Sequence, residues 1–201
     1  MKQSNTDGYI DLGRVEFMAK LEPIMSPKEL EAIETAYILS KYGHRGQERD
    51  DGTRYFEHPK SVAHILMEEL KVNDAQTIIM ALLHDVLEDS HILSPYRIEL
   101  NFGKEVVIGL KLLTKKPKEG YFKRLSIYGD NKTILVKLCD RLHNLRTLKN
   151  CTREKQKTQI EETRNHLLPL VSLLTKRLPK KDKWRGEYLH KQIDAICELY
   201  K

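Results

Sequence analysis

The hydrophobic positions of this chain recur at helical spacing and predict an almost entirely helical protein. After Ser26, the apolar residues Leu30, Ile33, Tyr37 and Ile38 fall on one helical face. The features typical of strands, long alternating runs and Asn-Gly turns between β-branched segments, do not occur. We therefore expect an all-α fold built as a helical bundle.

Helix-start signals divide this pattern into elements. Ser26-Pro27-Lys28-Glu29 is a capping box with proline at the first helical position, and it opens a helix to about Tyr42. Further helices are predicted to begin at Pro59, Asn73 or Asp74, Ser94-Pro95, after Gly103, near Asn131, at Thr152 and near Glu187. The helix capped at Asn73 or Asp74 is expected to continue through Val86, and the one at Thr152 to reach Leu174.

Composition favours one soluble domain, because 40% of the 201 residues are hydrophobic and 32% are charged. We expect an N-terminal extension (1–25), a main helical domain (26–175) and a basic segment with a C-terminal amphipathic helix (176–201). That last helix is expected to dock on the body or on a second subunit, which leaves a homo-oligomer open.

The expected compartment is the cytoplasm, with no membrane partner. No run approaches the ~18 apolar residues that cross a bilayer, and residues 1–13 lack the apolar core of a signal peptide. The cysteines Cys139, Cys151 and Cys197 are odd in number and without CxxC spacing. They favour a reduced protein over a disulfide framework.

The net charge of +6 is concentrated in two basic patches, residues 111–124 and 176–185. Each patch either attracts a polyanion electrostatically or is an ordinary solvated surface. Neither contains the interleaved aromatic residues of a nucleic-acid-binding stripe. Nucleic acid is therefore a disfavoured partner.

The stretch ALLHDVLEDS, residues 81–90, places His84 and three carboxylates beside an apolar run. On a continuous helix, Asp85, Glu88 and Asp89 would share one broad side with His84. Carboxylates so close together repel each other, and burying them unpaired is costly. A divalent cation is the compensation that fits best.

Two other stretches offer further metal-binding side chains. YFEHPKSVA contains His58, and VKLCDRLHNLRTL contains Asp140. Together with His84 and Asp85 they provide two nitrogen and two oxygen donors, a set that suits Mn²⁺, with Zn²⁺, Fe²⁺ or Co²⁺ as other occupants.

Each of these stretches also has a purely structural interpretation. Asp140 can pair with Arg141 or Lys137 instead of a metal, and His58 can cap the helix that follows it. All three stretches, however, set ligand types among apolar helical positions. The metal site is therefore the favoured interpretation of the three together.

Taken in order, these stretches resemble the HD-domain phosphohydrolases and, within them, the (p)ppGpp hydrolase domain of the RelA/SpoT-type alarmone enzymes. The resemblance covers about residues 30–175. It rests on HRGQERDDGTRYFEHPKSVAHIL, ALLHDVLEDS, FGKEV, LLTKK, VKLCDRLHNLRTL and IEETRNHLLPL. It implies an HD-domain helical bundle with a metal site in its central cleft. The implied activity is Mn²⁺-dependent removal of the 3′-pyrophosphate of ppGpp or pppGpp, giving GDP or GTP plus pyrophosphate.

The resemblance also implies roles for individual residues. The implied metal ligands are His58, His84, Asp85 and Asp140. Glu88 and Asp89 match the family pair that activates or positions the attacking water, and either can be the general base. The residues implied to hold the guanosine polyphosphate are Arg49, Asn144 and Thr147. Lys115, in the basic loop, either engages a phosphate chain as part of the substrate site or is simply solvated.

Some positions depart from the family pattern and leave the exact nucleotide open. Asp50-Asp51 follows Arg49, and the common GEPY is here Gly52-Thr53-Arg54-Tyr55. Two acids disfavour a polyanion unless Arg54 pairs with them. The alternatives are an HD phosphohydrolase for another nucleotide phosphate such as NADPH, or a silent nucleotide- or nucleic-acid-binding module. The complete set of ligand and catalytic residue types favours an enzyme. Since residues 176–201 are too few for a synthetase domain, we expect a small stand-alone hydrolase.

Overall fold

The computed structural model describes residues 12–89 and 93–200, except for the side chains of Leu12 and Asp89. Its α-helices are α1 (Leu12–Ala19), α2 (Pro27–Gly43), α3 (Glu57–His64), α4 (Ala75–Leu83), α5 (Val86–Asp89), α6 (Pro95–Phe102), α7 (Lys104–Leu113), α8 (Tyr121–Tyr128), α9 (Asn131–Arg146), α10 (Arg153–Glu162), α11 (Leu168–Arg177) and α12 (Lys183–Glu198). π-helical turns follow α3 at Ile65–Glu69 and α10 at Thr163–Leu167. Within the described ranges the only β-pairing is an isolated bridge between Glu48 and Arg54. The all-α prediction is confirmed.

Several helices begin where the sequence signals place them. At α2, Glu29 Oε2 accepts a hydrogen bond from the Ser26 amide at 2.8 Å, and Ser26 caps the helix in return. The α4 cap is Asp74, which accepts from the amide of Thr77 at 2.8 Å. Ser94 caps α6 in the same way. These caps satisfy amides that a helix N-terminus otherwise leaves without partners.

Helices α4 and α9 form the centre of the bundle. α4 is buried along nearly its whole length, and α9 is buried continuously from Thr133 to Leu142. α3 and α7 each pack against both of them, while α2 packs on α4. Interiors packed in this way hold side chains in fixed rotamers. Polar groups that project from α3, α4 and α9 are therefore held in a rigid frame.

The predicted continuation of α4 through Val86 is wrong. The helix ends at Leu83, and the chain turns at His84-Asp85 before the short α5. His84 Nδ1 lies 2.8 Å from the carbonyl oxygen of Ala81, the acceptor that the next helical amide would use. A side chain that competes for a backbone carbonyl favours the end of a helix.

Two helices, α1 and α8, were not predicted, because only a few of their residues are buried. α1 nevertheless joins the core: the Phe17 ring, 1% exposed, lies 5.3 Å from the ring of Tyr37. At the other end, α12 packs against α11 and α9. The three cysteines are free thiols. In the described part of the chain, no helix combines the length and apolarity needed to span a bilayer.

Candidate metal centre

Three parts of the bundle bring the predicted metal-binding side chains together. His58 is the second residue of α3, His84 and Asp85 form the turn after α4, and Asp140 lies within α9. The Nε2 atoms of His58 and His84 are 3.1 Å apart. Asp140 Oδ1 lies 3.2 Å from the first and 3.8 Å from the second. His58, His84 and Asp140 are all buried.

Asp85 reaches the same place from the turn. Its Oδ2 lies 3.2 Å from His84 Nε2 and 3.6 Å from His58 Nε2. Metal–ligand distances of about 2.0–2.2 Å place neighbouring donors of a six-coordinate ion roughly 3 Å apart. The donor spacing therefore fits one coordination shell, and the mixture of imidazole and carboxylate donors suits a divalent metal.

Hydrogen bonds behind the two imidazoles orient their Nε2 atoms toward this shell. The Ala81 carbonyl can only accept, so the contact requires a proton on His84 Nδ1, and Nε2 is the nitrogen that can bind a metal once it has released its own proton. His58 Nδ1 lies 2.8 Å from Nδ1 of His143. Burial and the neighbouring His58 and Arg49 lower the pKa of His143 to about 3. His143 is therefore neutral, and as a neutral imidazole it can accept the Nδ1–H of His58 and direct that ring.

The electrostatics of the cluster favour a positive charge at its centre. Burial alone would lower the pKa of His84, but Asp85 and Asp140 outweigh it and raise that pKa to about 9. Burial would raise the pKa of Asp140, but Lys137 and the imidazole of His58 hold it well below its usual range. The carboxylates therefore stay ionised and attract a cation.

Asp140 uses its two oxygens differently. Oδ2 accepts from Lys137 Nζ at 2.7 Å, whereas Oδ1 faces the imidazoles and accepts from Asn144 Nδ2 at 2.5 Å. The pairing with Lys137 and the place in the metal cluster, which the sequence left as alternatives, thus coexist. Arg141, the other alternative partner, pairs with Glu162 instead.

Sequence reasoning missed two residues that support the cluster. The Tyr55 hydroxyl donates to Asp85 Oδ2 at 2.8 Å, and His143 contacts His58 as described. Tyr55 stands in two of the quoted stretches, GTRY and YFEHPKSVA, but neither gives it a partner. The signal for His143 was its position three residues after Asp140, which places both on one side of α9.

We expect His143→Ala to weaken Mn²⁺ binding by about 10- to 100-fold, because His58 loses the acceptor that fixes its ring. Titration of the full chain with Mn²⁺ by calorimetry measures the change. His143→Gln, whose amide oxygen can accept the same hydrogen bond, should recover part of it. The control is His190→Ala, an exposed histidine of α12. Unchanged affinity in His143→Ala would contradict this role.

The three residues implied to hold the nucleotide also lie together. Arg49 Nη2 donates to Asn144 Oδ1 at 2.8 Å and lies 3.4 Å from the Thr147 hydroxyl oxygen. Asn144 in turn bonds Asp140, one of the candidate ligands. This polar group therefore adjoins the metal cluster directly.

The two acids after Arg49 have partners of their own. Lys155 Nζ lies 2.5 Å from Asp50 Oδ2. Asp51 accepts from the Thr53 amide at 3.0 Å. Arg54 pairs with Glu57 at 2.9 Å, so it does not provide the compensation considered from the sequence. The positive charge that compensates Asp50 comes from Lys155 instead.

Glu88 and Lys115 are joined by a hydrogen bond. The Lys115 amide donates to Glu88 Oε2 at 3.1 Å, while Lys115 Nζ contacts Glu162 at 3.1 Å. Lys115 is thus part of the Glu88 surroundings and not of the hydrogen-bonded group around Arg49. The side chain of Asp89 lies outside the described residues.

Comparison with known proteins identifies the family. A family model described as HD domain matches residues 36–170. The chain belongs to the HD-domain family. The HD-domain chain is 38% identical over 175 residues to guanosine-3′,5′-bis(diphosphate) 3′-pyrophosphohydrolase of Aquifex aeolicus, covering 81% of this chain and 25% of that protein.

Other relatives have related names. The bifunctional (p)ppGpp synthase/hydrolase SpoT of Escherichia coli K12 is 34% identical over 77% of this chain and 23% of its own length. GTP pyrophosphokinase of Myxococcus xanthus is 38% identical over 73% of this chain and 21% of its own length. The HD-domain chain thus spans about a quarter or less of these curated relatives.

The fold of this chain matches that of a solved structure over nearly the whole length of the solved chain. It is described as a metazoan ortholog of SpoT that hydrolyses ppGpp and plays a role in starvation responses. The TM-score is 0.67 at 25% identity, covering 87% of this chain and 96% of that one. The predicted HD-domain helical fold is therefore confirmed.

Proposed function

We propose that this chain is a metal-dependent hydrolase that removes the 3′-pyrophosphate of ppGpp or pppGpp, leaving GDP or GTP. The observation that carries the proposal is the convergence of His58, His84, Asp85 and Asp140, with Arg49 and Asn144 hydrogen-bonded beside them. The names of the pyrophosphohydrolase relatives and of the ppGpp-hydrolysing structural neighbour support the substrate.

The resident metal in this proposal is Mn²⁺, held by the two Nε2 atoms and the two aspartates. The mixed nitrogen and oxygen donors suit it. When bound, a divalent cation polarises a phosphate and acidifies a water molecule.

Glu88 is proposed to accept the proton of the attacking water. The amide of Lys115 donates to one of its carboxylate oxygens, which restrains the side chain, and its helix α5 directly follows the His84-Asp85 turn. Asp89, next along α5, is proposed to share in activating or positioning that water. The oxygen of the water bonds to the phosphorus attached to the 3′ oxygen, and the bond from that phosphorus to the 3′ oxygen breaks. The 3′ oxygen takes up a proton and leaves as the hydroxyl of GDP or GTP, while the attacked group is released as pyrophosphate.

Positive side chains supply the charge that a polyanion requires. Arg49 engages Asn144 and Thr147 through one nitrogen, so its remaining donors can meet phosphate oxygens. Lys115, Lys137 and Arg141 lie near the shared acid Glu162. Burial and the charge of Lys137 lower the pKa of Lys115. This cationic group is proposed to stabilise the charge on the pyrophosphoryl oxygens while water attacks the phosphorus.

A nucleotide panel tests the proposal. The Mn²⁺-loaded full chain is incubated with ppGpp, pppGpp, NADPH and GTP, and the products are separated chromatographically. We expect GDP and pyrophosphate from ppGpp, and GTP and pyrophosphate from pppGpp. Release of inorganic phosphate from NADPH alone would show that NADPH, and not ppGpp or pppGpp, is the substrate. No turnover of any nucleotide, with a fully loaded metal site, would support a silent binding module.

A further inference from the structure

A second cavity, of about 600 Å³, lies against the loop of residues 44–56. Glu48 and Arg54 pair in an antiparallel bridge, so the loop is extended there and neighbouring side chains point to opposite sides. Glu48 and Arg54 line this cavity, whereas Arg49 bonds Asn144. The loop is thus a wall between the second cavity and the proposed nucleotide pocket.

The charged side chains that line the cavity are mostly basic. One carboxylate, Glu48, accompanies four basic side chains, Arg14, Lys41, Arg45 and Arg54. Arg54 pairs with Glu57, but its side chain is 71% exposed, and such surface pairs are weak. Within residues 12–89 and 93–200, Arg45 has no ion-pair partner. The cavity therefore favours an anion.

Apolar and aromatic side chains complete the wall. Ile38 and Tyr42, on the last turns of α2, are 44% and 55% exposed, and Phe56 lines the cavity beside them. Exposed apolar side chains in a concave site favour a ligand with a flat apolar body. A simple inorganic anion would leave this part of the cavity unused.

A buried polar atom adds a third requirement. His44 is 2% exposed and lines the cavity. Its Nδ1 lies 2.8 Å from Gln47 Oε1, an oxygen that only accepts, so Nδ1 carries the proton. Nε2 is therefore an acceptor, and it is buried without a hydrogen-bond partner. Buried polar atoms are almost always paired, so a ligand N–H or O–H can supply the missing donor when a small shift of His44 opens this nitrogen to the cavity.

We propose that this cavity binds a nucleoside phosphate as a second ligand of the chain. A nucleobase combines a flat ring for Tyr42 with N–H donors for His44 Nε2, and its phosphates meet Arg45 and Arg54. The volume lies within the ~300–1,000 Å³ typical of small-molecule sites.

Occupancy of this cavity has a direct route to the metal centre. The His44 ring stacks on Tyr55 with centroids 4.7 Å apart, and the Tyr55 hydroxyl donates to Asp85. A ligand that shifts His44 therefore acts on a candidate metal ligand through one intervening side chain. This regulatory consequence rests on the proposed function, whereas binding itself does not.

Calorimetric titration of the full chain with GTP, in metal-free buffer, tests the proposal. The Asn144→Ala background weakens binding at the proposed nucleotide pocket beside the metal. In that background we expect GTP to bind still, and Arg45→Glu or Tyr42→Ala to weaken it by about tenfold or more. Both residues are exposed, so the fold is retained. Arg97→Glu, an exposed arginine of α6, is the matched control and should change nothing.

Two results would overturn the proposal. One is an Asn144→Ala chain that does not bind GTP, or that binds it equally well with Arg45→Glu and Arg97→Glu. The other is sodium tripolyphosphate binding as tightly as GTP, which would show that the cavity does not recognise the nucleoside. Arg45-dependent GTP binding by a chain that does not hydrolyse ppGpp would support this inference while the proposed function fails.

Discussion

Asp85→Asn is expected to abolish both metal binding and turnover. The carboxylate Oδ2 lies within 3.6 Å of both candidate imidazole donors. Its replacement by an amide removes a ligand and a negative charge from a buried cluster. We expect Mn²⁺ affinity to fall by more than about 100-fold, beyond the loss typical of residues that only support a ligand. The fold is retained, because asparagine has nearly the same shape and still accepts from Tyr55.

The measurement is metal content after dialysis, together with the rate of pyrophosphate release from ppGpp. His84→Ala should have the same effect through loss of a nitrogen donor. Asp194→Asn on α12 makes the same chemical change outside the site and serves as the control. An Asp85→Asn chain with full activity and undiminished metal content would show that the site is assigned wrongly.

Glu88→Gln should separate chemistry from metal binding. Glutamine can still accept from the Lys115 amide, so the local structure persists. It cannot take up the proton of the attacking water. We expect kcat to fall by about 10²- to 10⁴-fold, the usual contribution of a general base, with metal content unchanged.

Steady-state kinetics with Mn²⁺-loaded protein checks this, with Glu161→Gln on the exposed face of α10 as the control. A normal rate in Glu88→Gln would show that Glu88 is not the general base, and Asp89 would then be the candidate for that role. A lost metal in the same variant would mean that Glu88 acts on the metal site.

The main helices and the cluster of donors could be predicted because their signals are local. Ser26 and Asp74 are caps that a few neighbouring residues reveal. Likewise, His84-Asp85 and Asp140 stand out as polar groups within apolar helical stretches. The family resemblance then added the order and spacing of these stretches.

The remaining features depend on contacts between distant residues. His143 meets His58 across 85 positions, and Lys155 meets Asp50 across 105. No local spacing encodes such pairs. The end of α4 at Leu83 depends on a side chain competing for the Ala81 carbonyl, which hydrophobic periodicity does not register.

Electron paramagnetic resonance of the full chain titrated with Mn²⁺ tests the central claim most directly, because it counts the bound ions and detects the ligand nitrogens. The geometry predicts a single ion per chain coupled to two histidine nitrogens, with both couplings absent after His58→Ala and His84→Ala are combined. A bound ion without histidine coupling, or no bound ion in a folded chain, would contradict it.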